Sequence, residues 1–243
     1  MKVLILAGGR GTRLSGVVPD RPKPMADISG QPFLSYQMDY LIAQKIQELV
    51  LSVGYKAEFI QDFYKDNYKN LNIDYAHETE PLGTGGAILN GLKINNQNSE
   101  NNFLILNGDT FFDLNILNFE KFFLETQADI AVGLAYVKDT SRYGKVFLDE
   151  RTHQILSFGE KNTAGPGWIN AGAYLLGPKV LEILKKLNQE SFSWESEILS
   201  RAGELGLKIF GFKSEGANFI DIGIPEDYER AQRALPVWLG ENS

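Results

Sequence analysis

Apolar residues recur along this chain in two alternating rhythms. Short unbroken runs have the length of buried strands: Val3-Leu4-Ile5-Leu6-Ala7, Leu49-Val50-Leu51-Ser52-Val53, residues 73–76, Phe103-Leu104-Ile105-Leu106-Asn107 and residues 130–137. Between them, residues 33–42, 56–68, a segment running through Leu92, and 117–126 carry apolar residues at helical spacing. In the second of these, Phe59, Ile60, Phe63 and Tyr64 fall on one side. A β-α-β-α-β alternation predicts an α/β fold with a parallel sheet and right-handed crossovers. Ligands of such sheets bind beyond the carboxyl ends of the strands.

After residue 137 the rhythm changes. Residues 142–146, 154–160 and 168–176 read as shorter alternating strands, with turns at Asp149-Glu150-Arg151 and at residues 162–167. This predicts hairpins added to one side of the parallel sheet. Residues 180–187 and 195–205 have amphipathic helical spacing, and 208–212 form a further strand. Residues 225–234 form a last helix with Pro225 in its first turn and Pro236 ending it, followed by a tail at 239–243. The asparagine-rich stretch 95–102 reads as an exposed loop.

The first strand runs into Gly8-Gly9-Arg10-Gly11-Thr12-Arg13-Leu14. Three glycines within four residues let backbone N–H groups crowd around one point, and such a concavity attracts an anion. Arg10, Arg13 and Lys23 add positive charge, and Arg13 could fork onto two phosphate oxygens. Pro22-Lys23-Pro24 presents its lysine from a stiffened chain. A P-loop is excluded, because Thr12-Arg13 stands where Lys-Ser/Thr is needed. A dinucleotide fingerprint is excluded too: Leu14 occupies its third glycine position, and Ser52-Val53-Gly54-Tyr55 lacks the acid expected after the second strand. The stretch reads as a polyphosphate cradle, the plainer alternative being a glycine-rich turn.

Three further places carry candidate chemistry. Glu78-Thr79-Glu80-Pro81-Leu82-Gly83-Thr84-Gly85-Gly86-Ala87 is a tight loop, read either as backbone opened to a ligand or as a helix N-cap at Thr84. Asp109, next to Gly108 at the end of a central strand, could hold a hard cation or cap the following turn. Asp221, in Phe219-Ile220-Asp221-Ile222-Gly223, repeats that pattern, and two such acids beside a phosphate loop support a shared Mg²⁺ site. His77 and His153 have no ligand spacing, and Phe111, Phe112, Phe119, Phe122 and Phe123 suit a core.

Composition narrows the classes. A chain of 243 residues with 43% apolar content can bury a substantial core as one large domain. The absence of cysteine removes thiol catalysis, disulfides and cysteine-ligated zinc. A net charge of −7 argues against nucleic acid as a partner. No apolar run has membrane-spanning length, and Met1-Lys2 leads directly into the first strand without a signal peptide, so a soluble cytoplasmic protein is expected.

The pattern Gly8-Gly9-x-Gly11-Thr12-Arg13-Leu14 followed by Pro22-Lys23-Pro24 resembles the signature of the sugar-1-phosphate nucleotidyltransferases. The resemblance runs from Val3 to about Tyr228. It takes in Glu-Pro-Leu-Gly-Thr-Gly-Gly-Ala, Asn-Gly-Asp-Thr-Phe-Phe-Asp and Ile-Asp-Ile-Gly-Ile-Pro-Glu-Asp-Tyr, and is strongest to heptose 1-phosphate guanylyltransferases, then to mannose-1-phosphate guanylyltransferases. It implies a Rossmann-like, mostly parallel mixed sheet flanked by helices, with a small β-rich sugar-binding lobe. Within a single domain, residues 1–137 would bind nucleotide, and 138–235 would bind sugar phosphate and complete the sheet.

By the same resemblance, Leu6, Ala7, Gly8, Gly9, Gly11, Thr12, Arg13, Lys23, Glu78, Pro81, Gly83 and Thr84 bind a nucleoside triphosphate. Glu78 matches the base-facing position; its carboxylate can accept from guanine N1–H and the exocyclic amine, whereas uracil would oppose it with carbonyls, so GTP is expected. Asp109 and Asp221 match the Mg²⁺ ligands. Gly144, Glu160, Lys161 and Asn170 match sugar 1-phosphate contacts, although Glu160-Lys161 alone reads as an exposed ion pair. Arg13, Lys23, Asp109, Lys161 and Asp221 form the implied catalytic set. Its rivals are the same chemistry with mannose 1-phosphate or UTP, and a silent homologue that binds a sugar nucleotide. Nothing in the sequence fixes the oligomeric state.

Overall fold

The computed structural model describes residues 1–11, 13–14, 16–94, 102–187 and 189–240. The expected loop at 95–102 and tail at 239–243 lie outside these residues, except for 102, 239 and 240. In chain order the elements are β1 (Lys2–Leu6), β2 (Asp27–Ile28), β3 (Gln31–Pro32), α1 (Phe33–Ala43), β4 (Glu48–Val53), α2 (Ala57–Tyr64), β5 (Asn67–Tyr68), β6 (Leu71–His77) and α3 (Gly83–Ile94). There follow β7 (Phe103–Asn107), β8 (Thr110–Phe112), α4 (Ile116–Thr126), β9 (Ile130–Val137), β10 (Val146–Leu148), β11 (Ile155–Phe158), β12 (Gly167–Leu176) and α5 (Pro178–Lys186). A π-helical stretch (Trp194–Leu199), β13 (Ile209–Lys213), β14 (Phe219–Asp221) and α6 (Pro225–Trp238) complete the chain.

One eight-stranded sheet organises the molecule, in the order β13-β9-β12-β7-β1-β4-β6-β5. Six strands run one way, and β12 and β5 oppose them. The first strands are continuous apolar runs because both faces are covered. On one face β1, β4 and β6 pack with Leu34 and Met38 of α1, Ile60 and Tyr64 of α2 and Phe119 of α4. On the other, Ile88 of α3, Val180 and Leu184 of α5 and Trp194 close the core. A third cluster joins Phe33, Tyr36, Phe111 and Ile220 to Ala231 and Leu235 of α6. Among the described residues no helix is long and apolar enough to cross a membrane.

The order of strands matters for function. From β1 the chain moves outward to β4 and β6, then returns to the other side of β1 as β7. The crevice between the carboxyl ends of β1 and β7 is therefore a topological switch point, where open α/β sheets take their ligands.

Several elements differ from the sequence reading. Of the strands expected after residue 137 as added hairpins, β10 and β11 pair with each other outside the central sheet, whereas β12 enters that sheet antiparallel to both β7 and β9. Its residues Ala171 and Ala173 to Leu176 are buried on both faces, as a central position requires. Helix α2 stops at Tyr64, because Lys65 turns to φ 54° and Tyr68 pairs with Leu71. Of its four apolar positions only Ile60 and Tyr64 are buried. The helix expected at 195–205 is the short π-helical stretch followed by turns. Helix α6 continues through Pro236 to Trp238. The carbonyl of Gln232, which a residue-236 N–H would have satisfied, instead accepts from Ser29 Oγ at 2.6 Å.

Candidate active site

A cleft of about 490 Å³ opens at the switch point. The glycine loop after β1 forms one wall. Gly8 O accepts from Tyr55 N–H at 3.1 Å, which fastens the loop to the end of β4. Gly11 has φ 60°, and a Cβ there would stand 2.8 Å from Lys23 Cβ, so the loop and the lysine stem are packed together. Leu6, Ala7, Gly8, Gly9, Gly11, Lys23, Glu78, Pro81, Gly83 and Thr84 all line the cleft, as does Asp109. Thr12 lies outside the described residues. Arg13 is exposed on the turn after Gly11 and is not part of the lining.

Glu78 follows β6, with its N–H bonded to Val53 O at 2.8 Å. Its Oε1 accepts from Ser52 Oγ at 3.0 Å, and its Oε2 from Leu82 N–H at 3.4 Å. A Cβ on Gly8 would overlap Glu78 Oε1, so the glycine lets the carboxylate lie against the loop. Both oxygens are oriented by the protein and each retains acceptor capacity.

The first turn of α3 brings the positive end of a helix to the cleft, with Gly83, Thr84 and Ala87 in the lining. Thr84 is not an N-cap, since the helix begins at Gly83. Its hydroxyl donates to Glu195 Oε2 at 2.7 Å and accepts from Trp194 N–H at 2.9 Å. Gly85 and Gly86 are small because Phe192 and Glu190 lie against them; these two glycines receive protein, not ligand.

Asp109, two residues past β7, and Asp221, at the end of β14, converge on Lys23. The Lys23 ammonium is 2.7 Å from Asp109 Oδ2 and 3.5 Å from Asp221 Oδ1, and its side chain is only 9% exposed. Burial, reinforced by the charge of Asp109, pushes the Asp221 carboxyl above the usual carboxylate range, while Lys23 and Arg142 act against the rise. Asp221 Oδ1 is buried without a hydrogen-bond partner. Two hard oxygen donors, one unsatisfied, with an ammonium between them, fit a divalent cation such as Mg²⁺. Among the described residues no cluster of three or more potential ligands exists, so a cation here would complete its shell from water and substrate oxygens.

The remaining candidates stand apart from the cleft lining. Glu160 and Lys161 are exposed on the loop between β11 and β12. Gly144 is buried in the turn before β10. Asn170, on β12, donates to Tyr174 OH at 2.8 Å and accepts from Gly172 N–H at 3.0 Å across a register shift. Sequence reasoning did not place Pro24, Tyr55, Thr79, Glu80 or Asn107 in the site, and noted Arg10 only as charge; all six line the cleft. Tyr55 and Asn107 lie at or just past the carboxyl ends of β4 and β7, so the strand-end rule applied to every parallel strand would have found them.

Comparison with known proteins gives a consistent picture. The Nucleotidyl transferase family model matches residues 2–236. The D-glycero-alpha-D-manno-heptose 1-phosphate guanylyltransferase of Aneurinibacillus thermoaerophilus is 40% identical over 239 residues, covering 98% of this chain and all of that protein. The protein of the same name from Campylobacter jejuni is 40% identical over 228 residues, covering 94% and 97%. Among solved structures, HddC from Yersinia pseudotuberculosis complexed with GMP-PN has a TM-score of 0.83 and 41% identity, covering 95% of this chain and 97% of that one.

Proposed function

The chain belongs to the nucleotidyl transferase family, and from that premise we propose that it is a D-glycero-α-D-manno-heptose 1-phosphate guanylyltransferase. It condenses GTP with the heptose 1-phosphate to give GDP-heptose and pyrophosphate. The near full-length identity to guanylyltransferases of that name supports the substrates. The observation that carries the chemistry is the convergence of Asp109 and Asp221 on Lys23 beside the glycine loop.

A phosphate oxygen of the sugar 1-phosphate forms a bond to the α-phosphorus of GTP. The bond from that phosphorus to the oxygen bridging to the β-phosphate breaks, and pyrophosphate leaves with the electron pair. The nucleophile is already an anion at neutral pH, so no general base is required. Catalysis is then mainly positioning and charge neutralisation.

Within this reading, residues 1–137 carry the nucleotide and 138–235 the sugar phosphate. The amides of Gly8, Gly9 and Gly11 hold phosphate oxygens, with Arg10 and Lys23 beside them and the charge of Arg13 on the next turn; Thr12 is assigned to the nucleotide by the family pattern alone. Leu6, Ala7, Pro81, Gly83 and Thr84 shape the nucleotide cleft, and Glu78 reads guanine. Asp109 and Asp221 would hold Mg²⁺, which supplies charge neutralisation to the phosphates when bound. Lys161 holds the sugar phosphate, and Glu160, Asn170 and the Gly144 backbone face the sugar. A pyrophosphate-release assay over four triphosphates and several sugar 1-phosphates tests the proposal. GTP with the heptose 1-phosphate should give the highest kcat/KM; a higher value for UTP or for mannose 1-phosphate would displace that substrate assignment.

A further inference from the structure

The turn at residues 140–144 is fastened on one side to the loop that carries Glu160 and Lys161. Thr140 donates its N–H to Gly165 O and its buried hydroxyl to Thr163 O, both at 2.9 Å. Asn162 N–H reaches Ser141 O at 2.6 Å, and Gly159 N–H reaches Lys145 O at 2.7 Å. Gly144 has φ 83°, and a Cβ there would overlap Gly159 O. These contacts make the turn and the loop one unit.

From that unit Arg142 extends toward Asp221. Its Nη1 pairs with Asp227, while its Nη2 stands 3.8 Å from Asp221 Oδ2. Asp227 lies in the first turn of α6, behind Pro225, and its other oxygen takes Arg230 Nη2 at 3.0 Å. The helix N-terminus favours the Asp227 charge. Asp227 thus anchors the guanidinium close to Asp221 without a hydrogen bond between the two.

We propose that Arg142 is a positioning residue for the transfer reaction, fixing the loop of Glu160 and Lys161 relative to Asp221. The meaning of that registration rests on the guanylyltransferase reading, in which Lys161 holds the attacking phosphate and Asp221 shares with Asp109 the cation beside the triphosphate. In-line displacement needs the reacting atoms about 3–3.5 Å apart, and a misplacement of about 1 Å can cost roughly a hundredfold in rate. Arginine suits the role because one planar fork addresses two carboxylates; an ammonium on a flexible stem does not.

The test uses Arg142→Ala, Arg142→Lys, Asp227→Asn and the Arg142→Ala/Asp227→Asn double variant. Each single variant should lower kcat by about 10- to 100-fold while both KM values stay within about threefold. The double variant should be no slower than the slower single, because both substitutions cut the same link. Amide hydrogen exchange in the ligand-free protein should rise at residues 140–144 and 159–162 in every variant, with Tm little changed. Wild-type kcat and exchange in Arg142→Lys would overturn the proposal, as would a double variant whose loss is the product of the two singles. A wild type that fails to turn over GTP with the heptose 1-phosphate would overturn the guanylyltransferase reading, while hydrogen exchange still decides whether Arg142 makes the link.

Discussion

Replacing Glu78 by glutamine tests base recognition with little disturbance of the fold. In the wild type, Oε1 accepts from Ser52 Oγ at 3.0 Å and Oε2 from Leu82 N–H at 3.4 Å. A glutamine amide can fit this frame by turning its oxygen to Leu82 and its NH₂ to Ser52, whose hydroxyl reverses to become the acceptor. The side chain then keeps its place and size but presents one donor where guanine needs two acceptors. Losing a hydrogen bond to a charged group costs about 1.5–3 kcal/mol. At 1.4 kcal/mol per tenfold, that is roughly a ten- to hundredfold loss of specificity. The ratio of kcat/KM for GTP over UTP should therefore fall by about that factor, with little change in sugar KM. Wild type and variant, each assayed with both triphosphates at saturating heptose 1-phosphate, give the result. An unchanged ratio would refute the role of Glu78 and move base selection to the backbone around Leu82 and Gly83.

Asp109→Asn and Asp221→Asn should each abolish most Mg²⁺-dependent pyrophosphate release while Tm stays near the wild-type value; near-normal turnover at limiting Mg²⁺ would exclude that residue as a ligand. Lys161→Ala should raise the KM for the sugar 1-phosphate far more than that for GTP, and equal changes in both would remove Lys161 from the sugar-phosphate side. Lys23→Met leaves Asp109 and Asp221 without their shared ammonium. Calorimetry with Mn²⁺ alone should then show about tenfold or tighter binding to the ligand-free variant, and equal affinity in both proteins would place the cation elsewhere.

The sequence read well wherever one physical requirement acts on neighbouring residues. Both faces of β1, β4 and β7 are covered, so their apolar runs are unbroken and legible. The glycine loop was legible as a wall of the cleft because it follows directly on the carboxyl end of the first strand. Helix α2 shows where such patterns mislead. Phe59 and Ile60, like Phe63 and Tyr64, are adjacent residues about 100° apart around the helix, so the apolar stripe is wider than the surface available to cover it. The place of β12 was hidden because its pairing with β7 joins residues some seventy positions apart and leaves no local periodicity. Pro236 looked like a terminator because the Ser29 hydroxyl that serves the Gln232 carbonyl lies 203 positions away.

Long-range charge pairing is the part of the site that local reading could not reach, and it bears on how the site works. Asp109, Asp221 and Asp227 face Lys23, Arg142 and Arg230, three acids against three bases. Acidic and basic side chains are thus matched one for one within this cluster, where the proposed reaction must gather two phosphorylated substrates. Its lysine is already engaged and its Arg142 guanidinium is tied to Asp227. An arriving triphosphate therefore meets the amides of the glycine loop before either cation is released. Additional positive charge comes from Lys23 leaving the carboxylates or from a cation that the vacated oxygens can hold. Packing of Lys23 against Gly11 links these two events, since a phosphate settling on the loop acts directly beside the lysine stem. Under the proposed metal site the same two aspartates would serve the lysine before the substrate arrives and the cation afterwards, a reason for acids from such distant segments to converge on one ammonium.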